Sequence, residues 1–126
     1  RTTVLLRARS FGILLNEFIV LNQELQENPG LLSDPNWQTE VRTTLDLFVA
    51  SAWALSDTGT VPPEYHSIHQ WLVQVGPEAQ AMRDHYVQGI QQGDQVSLQA
   101  AGENLARIND LMTQAEIAMV EAGWEG

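Results

Sequence analysis

The sequence contains no cysteine. Disulfide frameworks, thiolate zinc sites and cysteine nucleophiles are therefore excluded. A chain of 126 residues is long enough to bury an apolar core, so it needs no covalent or metal cross-link to fold. We expect a single domain over residues 1–126.

Lysine is also absent, and six arginines stand against sixteen acidic residues, which gives a formal net charge of −10. Nucleic-acid binding needs clustered cations that neutralise phosphates, and docking on anionic lipid needs a basic patch. The composition argues against both functions. The simplest role of such an acidic surface is solubility.

No long hydrophobic run is present. The most apolar stretch, residues 11–21, has eleven residues and includes Asn16 and Glu17. A membrane-spanning helix needs about 20 apolar residues, so we expect no direct membrane insertion of this domain. The chain begins at Arg1 without a methionine, which is typical of a processed or trimmed product.

Strand patterns are nearly absent, and Pro and Gly concentrate at three breaks, near residues 28–30, 56–63 and 91–94. Between the breaks, apolar residues recur at steps of three and four, the period of an amphipathic helix. Asp34 and Asp94 are suited to cap the second and fourth helices, and Pro35 suits a first helical position.

The third segment keeps its apolar phase from Tyr65 to Tyr86 across Gly76 and Pro77. A true break would reset that phase, so we expect one long helix with a kink near Pro77. Four helices of similar length with short connections predict an all-α, antiparallel, up-down-up-down four-helix bundle. Leu105 is expected in the core seam of the fourth helix.

The first segment is apolar around a wider arc than one bundle seam requires. One explanation is a helix packed deeply between two neighbours. The other is a second contact surface, for a second copy of the chain or for another protein. Leu6, Ile13 and Val20 are the residues expected to form that interaction surface.

His66 and His69 form the weak candidate pair for a metal site, because residues three apart share a helix face. His85 lies sixteen residues beyond His69, about 160° around an ideal helix, and cannot join the pair from the same helix. A zinc site needs at least a third protein ligand, so we expect no metal.

Other cofactor and catalytic patterns are missing from the sequence. It has no Glu-x-x-His pair of the di-iron type, no Cys-x-x-Cys-His haem attachment, no Gly-x-Ser-x-Gly elbow and no glycine-rich phosphate loop. A haem held by a His and a Met stays open. We expect no cofactor and no enzymatic activity.

Four tryptophans and two tyrosines are many large rings for this length. Core packing is the ordinary explanation for rings beside an apolar stripe. The alternative is a pocket for an apolar or cationic ligand. Tyr65, Trp71 and Tyr86 are the residues expected to form its wall.

Residues 61–119 combine a Pro-Pro start, a histidine near the first turn, a Gly-Ile and Gly-Asp junction at residues 89–94, and an Ala- and Leu-rich helix. With the Asp-Pro-Asn-Trp helix start at residues 34–37, this stretch resembles the helical domains of uncharacterised bacterial cell-surface proteins and lipoproteins. The resemblance covers about residues 34–120. It implies an exported four-helix domain and supplies no catalytic residues.

Together these features predict a non-enzymatic extracytoplasmic helical module for protein interaction or small-ligand binding. The expected partner is another protein or a second copy of the chain, bound through the first helix. The alternatives are a ligand-sensing bundle of a membrane receptor and a metal- or haem-binding bundle.

Replacing His66 and His69 together by Ala should change the free energy of unfolding by less than about 0.5 kcal/mol, as ordinary surface substitutions do. Urea denaturation of the double variant beside the wild type measures this. A large loss of stability, with zinc raising the melting temperature of the wild type alone, would contradict it.

Overall fold

A computed structural model of the chain describes residues 2–57 and 63–124. These residues form five α-helices: α1 Thr2–Glu27, α2 Pro35–Ser56, α3 His66–Leu72, α4 Val75–Gln92 and α5 Gln95–Glu121. Two short 3₁₀ turns, Pro29–Ser33 and Pro63–Tyr65, precede α2 and α3. The described ranges contain no β-strand.

The all-α prediction with four helical segments is confirmed, and α3 with α4 makes up the third segment. Most of the second break, residues 58–62, lies outside the described residues.

Two aspartates begin helices as the sequence indicated. Asp34 Oδ1 accepts the backbone N–H of Asn36 at 2.9 Å, and α2 starts at Pro35. Asp94 Oδ1 accepts the N–H of Val96 at 3.0 Å at the start of α5. The Ser97 hydroxyl donates a hydrogen bond to the same carboxylate, and this bond is the main reason that the pKa of Asp94 lies below its usual value. Both caps supply acceptors to N–H groups that lack intrahelical partners.

The third segment leaves the α-helical conformation at Val73 and Gln74, before Pro77. Pro77 is the third residue of α4, where its missing N–H costs nothing because first-turn N–H groups have no intrahelical acceptor. The kink predicted near Pro77 is therefore not confirmed. The apolar phase survives because only two residues separate α3 from α4.

The Ser56 side chain, in the last turn of α2, bridges this interruption. Its hydroxyl donates to the Leu72 carbonyl at 2.8 Å and accepts the Gly76 N–H at 2.8 Å. A Cβ added at Gly76 would lie 2.7 Å from Cε3 of Trp53, so only glycine permits this approach of α2. One buried hydroxyl thus provides hydrogen-bond partners for a carbonyl at the end of α3 and an N–H at the start of α4.

The core lies along α2 and α4. The backbones of α1 and α4 both pack against α2, and α5 packs against α3 and α4. The Phe11 and Phe48 rings stack with centroids 4.6 Å apart, and Leu45, Met82 and Ile108 are fully buried. Helices α1 and α5, by contrast, do not pack closely backbone to backbone within the described residues. The space between these two helices contains the candidate site.

Substituting Ser56 by Ala should lower the free energy of unfolding by about 1–3 kcal/mol, because two buried backbone groups lose their partner. Ser67 is the matched control, since it is exposed on α3, and its replacement by Ala should cost less than about 0.5 kcal/mol. Urea denaturation followed by circular dichroism measures both. Equal stability of the two variants would show that the bridge contributes nothing.

Candidate binding clefts between α1 and α5

Two clefts lie between α1 and α5. We name the first the Tyr86 cleft; it has a volume of about 580 Å³. Its lining is Phe18, Asn22, Leu25, Gln26, Pro29, Leu32, Tyr86, Gln95, Leu98, Gln99, Ala101, Gly102 and Leu105. We name the second the Trp124 cleft; it has a volume of about 510 Å³. Its lining is Leu5, Ala8, Arg9, Gly12, Leu15, Asn109, Met112, Thr113, Glu116, Met119, Val120 and Trp124.

The sequence pattern of α5 accounts for the apolar wall of both clefts. Leu98, Leu105, Met112 and Met119 recur every seven residues, so they lie along one side of the helix. The first three are only partly buried, whereas Ile108 is fully buried against the core. Leu105 was expected in the core seam. It is partly buried against the core, and it also lines the Tyr86 cleft because α1 does not pack closely against this side of α5.

Two glycines inside helices face these clefts. Gly12 of α1 lines the Trp124 cleft and Gly102 of α5 lines the Tyr86 cleft. A Cβ at either position would meet nothing within 4 Å. Glycine inside a helix costs about 0.5–1 kcal/mol relative to Ala. Packing therefore explains neither glycine, and both keep side-chain volume out of the clefts.

The other two glycines within the described α-helices have a packing role. A Cβ at Gly89 would lie 2.6 Å from Cγ of Leu98, so Gly89 permits the close approach of α4 and α5. Gly76 does the same for α2 and α4. Close contacts between helices therefore require glycine at positions 76 and 89, whereas Gly12 and Gly102 border open space.

The Tyr86 cleft is uncharged. Its lining combines apolar side chains with the amides of Asn22, Gln26, Gln95 and Gln99 and the phenol of Tyr86. The Tyr86 hydroxyl donates to Asn22 Oδ1 at 3.0 Å, and the ring meets Phe18 edge-on at 4.9 Å. Burial raises the pKa of Tyr86 far above its usual value, so this phenol stays neutral. Amides and a neutral phenol suit hydrogen bonding to an uncharged ligand.

The Trp124 cleft has a charged rim, with Arg9 on α1 and Glu116 on α5. Trp124 follows α5 and is buried, and its backbone N–H donates to the Met119 carbonyl at 2.8 Å. Gly123 has a φ of 81°, which suits glycine at such a reversal.

A polar chain connects α4 to α5 outside both clefts. Asn104 is buried; its Nδ2 donates to Glu78 Oε2 at 2.9 Å, and its Oδ1 lies 2.9 Å from His85 Nδ1. Arg107 Nε donates to the same Glu78 oxygen at 3.1 Å. Since the Asn104 oxygen must accept here, His85 Nδ1 carries the proton. This hydrogen-bond network was not predicted from the sequence. Its role is to give the buried amide of Asn104 hydrogen-bond partners.

The three aromatic residues expected to form one pocket wall lie in different places. Tyr86 lines the Tyr86 cleft, whereas Trp71 borders a hollow of about 140 Å³ beside Arg107. Tyr65 meets Trp124 edge-on, with ring centroids 5.0 Å apart. They do not share a wall, and ligand binding by each of them stays a prediction.

The structure exposes the residues of the expected interaction surface, Leu6, Ile13 and Val20. His66 is exposed and His69 partly buried. Within residues 2–57 and 63–124, no group of three or more His, Asp and Glu side chains is placed to hold a metal ion. None of the helices described is long and apolar enough to cross a membrane.

No family model, curated protein or solved structure matches this chain. The resemblance to bacterial cell-surface domains therefore stays a prediction, and the candidate site depends on its geometry alone. The sequence signal that could have revealed it is the pair of glycines inside helical patterns, combined with the seven-residue repeat of α5.

Replacing Gly12 or Gly102 by Ala should raise the free energy of unfolding by about 0.5–1 kcal/mol, because the methyl group meets open space and the helix gains propensity. Replacing Gly76 by Ala should instead lower it by about 1–3 kcal/mol through overlap with the Trp53 ring. Denaturant titrations of the three variants measure the contrast. Destabilisation by both cleft substitutions would indicate that these glycines have a packing role.

Proposed function

We propose that this protein is a non-enzymatic extracytoplasmic binding module that holds an uncharged, largely apolar small ligand in the Tyr86 cleft. The observation that carries the proposal is the open, uncharged space between α1 and α5, bordered by a glycine that packing does not require. The extracytoplasmic location rests on the sequence resemblance.

The size and lining of the cleft support a ligand. Small-molecule sites have volumes of about 300–1,000 Å³ and combine apolar walls with a few placed polar groups, and the Tyr86 cleft has about 580 Å³. Burying a charge without a partner is costly. A lining without charged side chains therefore favours a neutral ligand over an ionic one.

The chemistry of the lining supports binding over catalysis. General acid–base catalysis requires a group with a pKa near the working pH. The Tyr86 pKa lies far above that range, and the surrounding amides do not titrate. These groups can orient a ligand through hydrogen bonds.

The proposed architecture is an antiparallel, up-down-up-down bundle. Arg7, near the start of α1, donates from Nη1 to the carbonyls of Ala54 and Asp57 at the end of α2, at 2.8 and 2.9 Å. Farther along α1, Phe11 stacks on Phe48. This reversed order of contacts supports an antiparallel α1–α2 pair, and the short connections support the remainder.

Nile red, an uncharged fluorophore with an apolar body, is a suitable probe. Gly102→Leu should fill the Tyr86 cleft and weaken Nile red binding by at least about tenfold, since the new side chain occupies the ligand volume. Ala106→Leu is the matched control, because Ala106 is exposed on the same helix and does not line the cleft. Fluorescence titration measures the affinities, and circular dichroism checks that both variants fold.

Native mass spectrometry of the protein, purified without added metal, tests the proposal on the natural ligand. A retained neutral organic mass that Gly102→Leu loses and Ala106→Leu keeps is the expected result. Equal Nile red affinity in all three proteins would contradict the proposed site.

A further inference from the structure

A line of exposed apolar side chains runs along the outer side of α1, which we call the α1 ridge. It consists of Leu6, Ile13 and Val20, which are 56%, 60% and 44% exposed. Their seven-residue spacing places them above one another, because seven residues complete about two helical turns. Single exposed apolar residues are ordinary, but a row at seven-residue intervals on one helix is the spacing by which one helix packs against another.

Charged and polar residues flank the ridge symmetrically about Ile13. Arg9 lies four residues before Ile13, and Glu17 lies four residues after it. Ser10 and Asn16 lie three residues before and after. All four flanking residues are exposed. Neither Arg9 nor Glu17 forms a salt bridge within the described part of the chain.

We propose that a second copy of this chain binds the α1 ridge, with the two α1 helices antiparallel and Ile13 at the two-fold axis. In this register, a residue before Ile13 faces the residue equally far after Ile13 in the other copy. Leu6 then faces Val20, and Arg9 faces Glu17. The Arg9–Glu17 pair then forms twice, once on each side of the axis, as a self-complementary two-fold interface requires.

The same charges disfavour the parallel arrangement. Parallel pairing in register would place Arg9 against Arg9 and Glu17 against Glu17, and like charges at close range are unfavourable. The charge pattern thus selects orientation as well as partner. Ser10 and Asn16 would also face each other in the antiparallel register, as a polar pair at the rim.

The expected association is weak, because one helix pair is a small interface. The net charge of −10 on each copy opposes it at long range. At about 150 mM salt the Debye length is about 8 Å, which screens the distant charges more than the close pairs. The inference is independent of ligand binding in the Tyr86 cleft, which lies on another side of α1.

Single-cysteine variants test the register directly, because the chain has no cysteine of its own. A disulfide needs Cα atoms within about 7 Å. Ile13→Cys should cross-link to itself under mild oxidation. Leu6→Cys alone should not, because in this register the two Leu6 positions are fourteen residues apart along the pair, about 21 Å. When the Leu6→Cys and Val20→Cys variants are mixed, a copy of one should cross-link to a copy of the other.

Val96→Cys is the control for random collision, because Val96 is 75% exposed on α5. Cross-linking of Val96→Cys as fast as Ile13→Cys would overturn the proposal. Self-cross-linking of Leu6→Cys would overturn the antiparallel register.

A charge exchange tests the complementarity in proteins without cysteine. Arg9→Glu should weaken dimerisation by at least about fivefold, since it places two acidic pairs at the interface. Adding Glu17→Arg to it should restore the wild-type affinity, as the opposite charges face each other again. Sedimentation equilibrium from roughly 1 to 500 μM at 150 mM salt covers weak association. A wild type that stays monomeric throughout, or a double variant no stronger than Arg9→Glu, would overturn the proposal.

Discussion

The hydroxyl of Ser56 is the contact on which the arrangement of the helices depends. It satisfies the Leu72 carbonyl and the Gly76 N–H at once, so the third segment can be interrupted without leaving buried backbone groups unpaired. The interruption lets α3 pack against α5 while α4 packs against both α2 and α5. Because Gly76 has no side chain, the Trp53 ring lies directly on this junction.

The four glycines within the described α-helices are of two kinds: two lie at close contacts between helices, and two border the open clefts. Gly76 and Gly89 lie where a methyl group would overlap a neighbour, and the gain in packing offsets their low helix propensity. Gly12 and Gly102 have the same cost and border empty space. Alanine at either position would favour the helix, so stability does not account for these two glycines.

Apolar residues lie on three sides of α1, which accounts for its wide apolar arc. Phe11 and Phe18 are buried in the core, and Leu5 and Leu15 line the Trp124 cleft. The α1 ridge lies on the exposed side. Deep packing thus explains only the side of α1 that carries Phe11 and Phe18. The exposed α1 ridge is the part for which we propose a contact surface.

The sequence by itself determined the helical segments and the caps at Asp34 and Asp94, because capping and apolar periodicity depend on residues close in the chain. It left open whether Leu6, Ile13 and Val20 are packed or exposed, and the structure exposes them. It did not determine the break at Val73 and Gln74. The apolar periodicity continues across that break. The break itself is stabilised by Ser56, which is sixteen residues before Leu72. The sequence also did not show that Leu105, which packs against the core, borders an open cleft, and it grouped Tyr65, Trp71 and Tyr86 in one pocket. Only the tertiary structure decided these points, because an apolar side chain has the same periodicity beside a packed helix and beside an open cleft, and the spacing of α1 from α5 depends on contacts between distant residues.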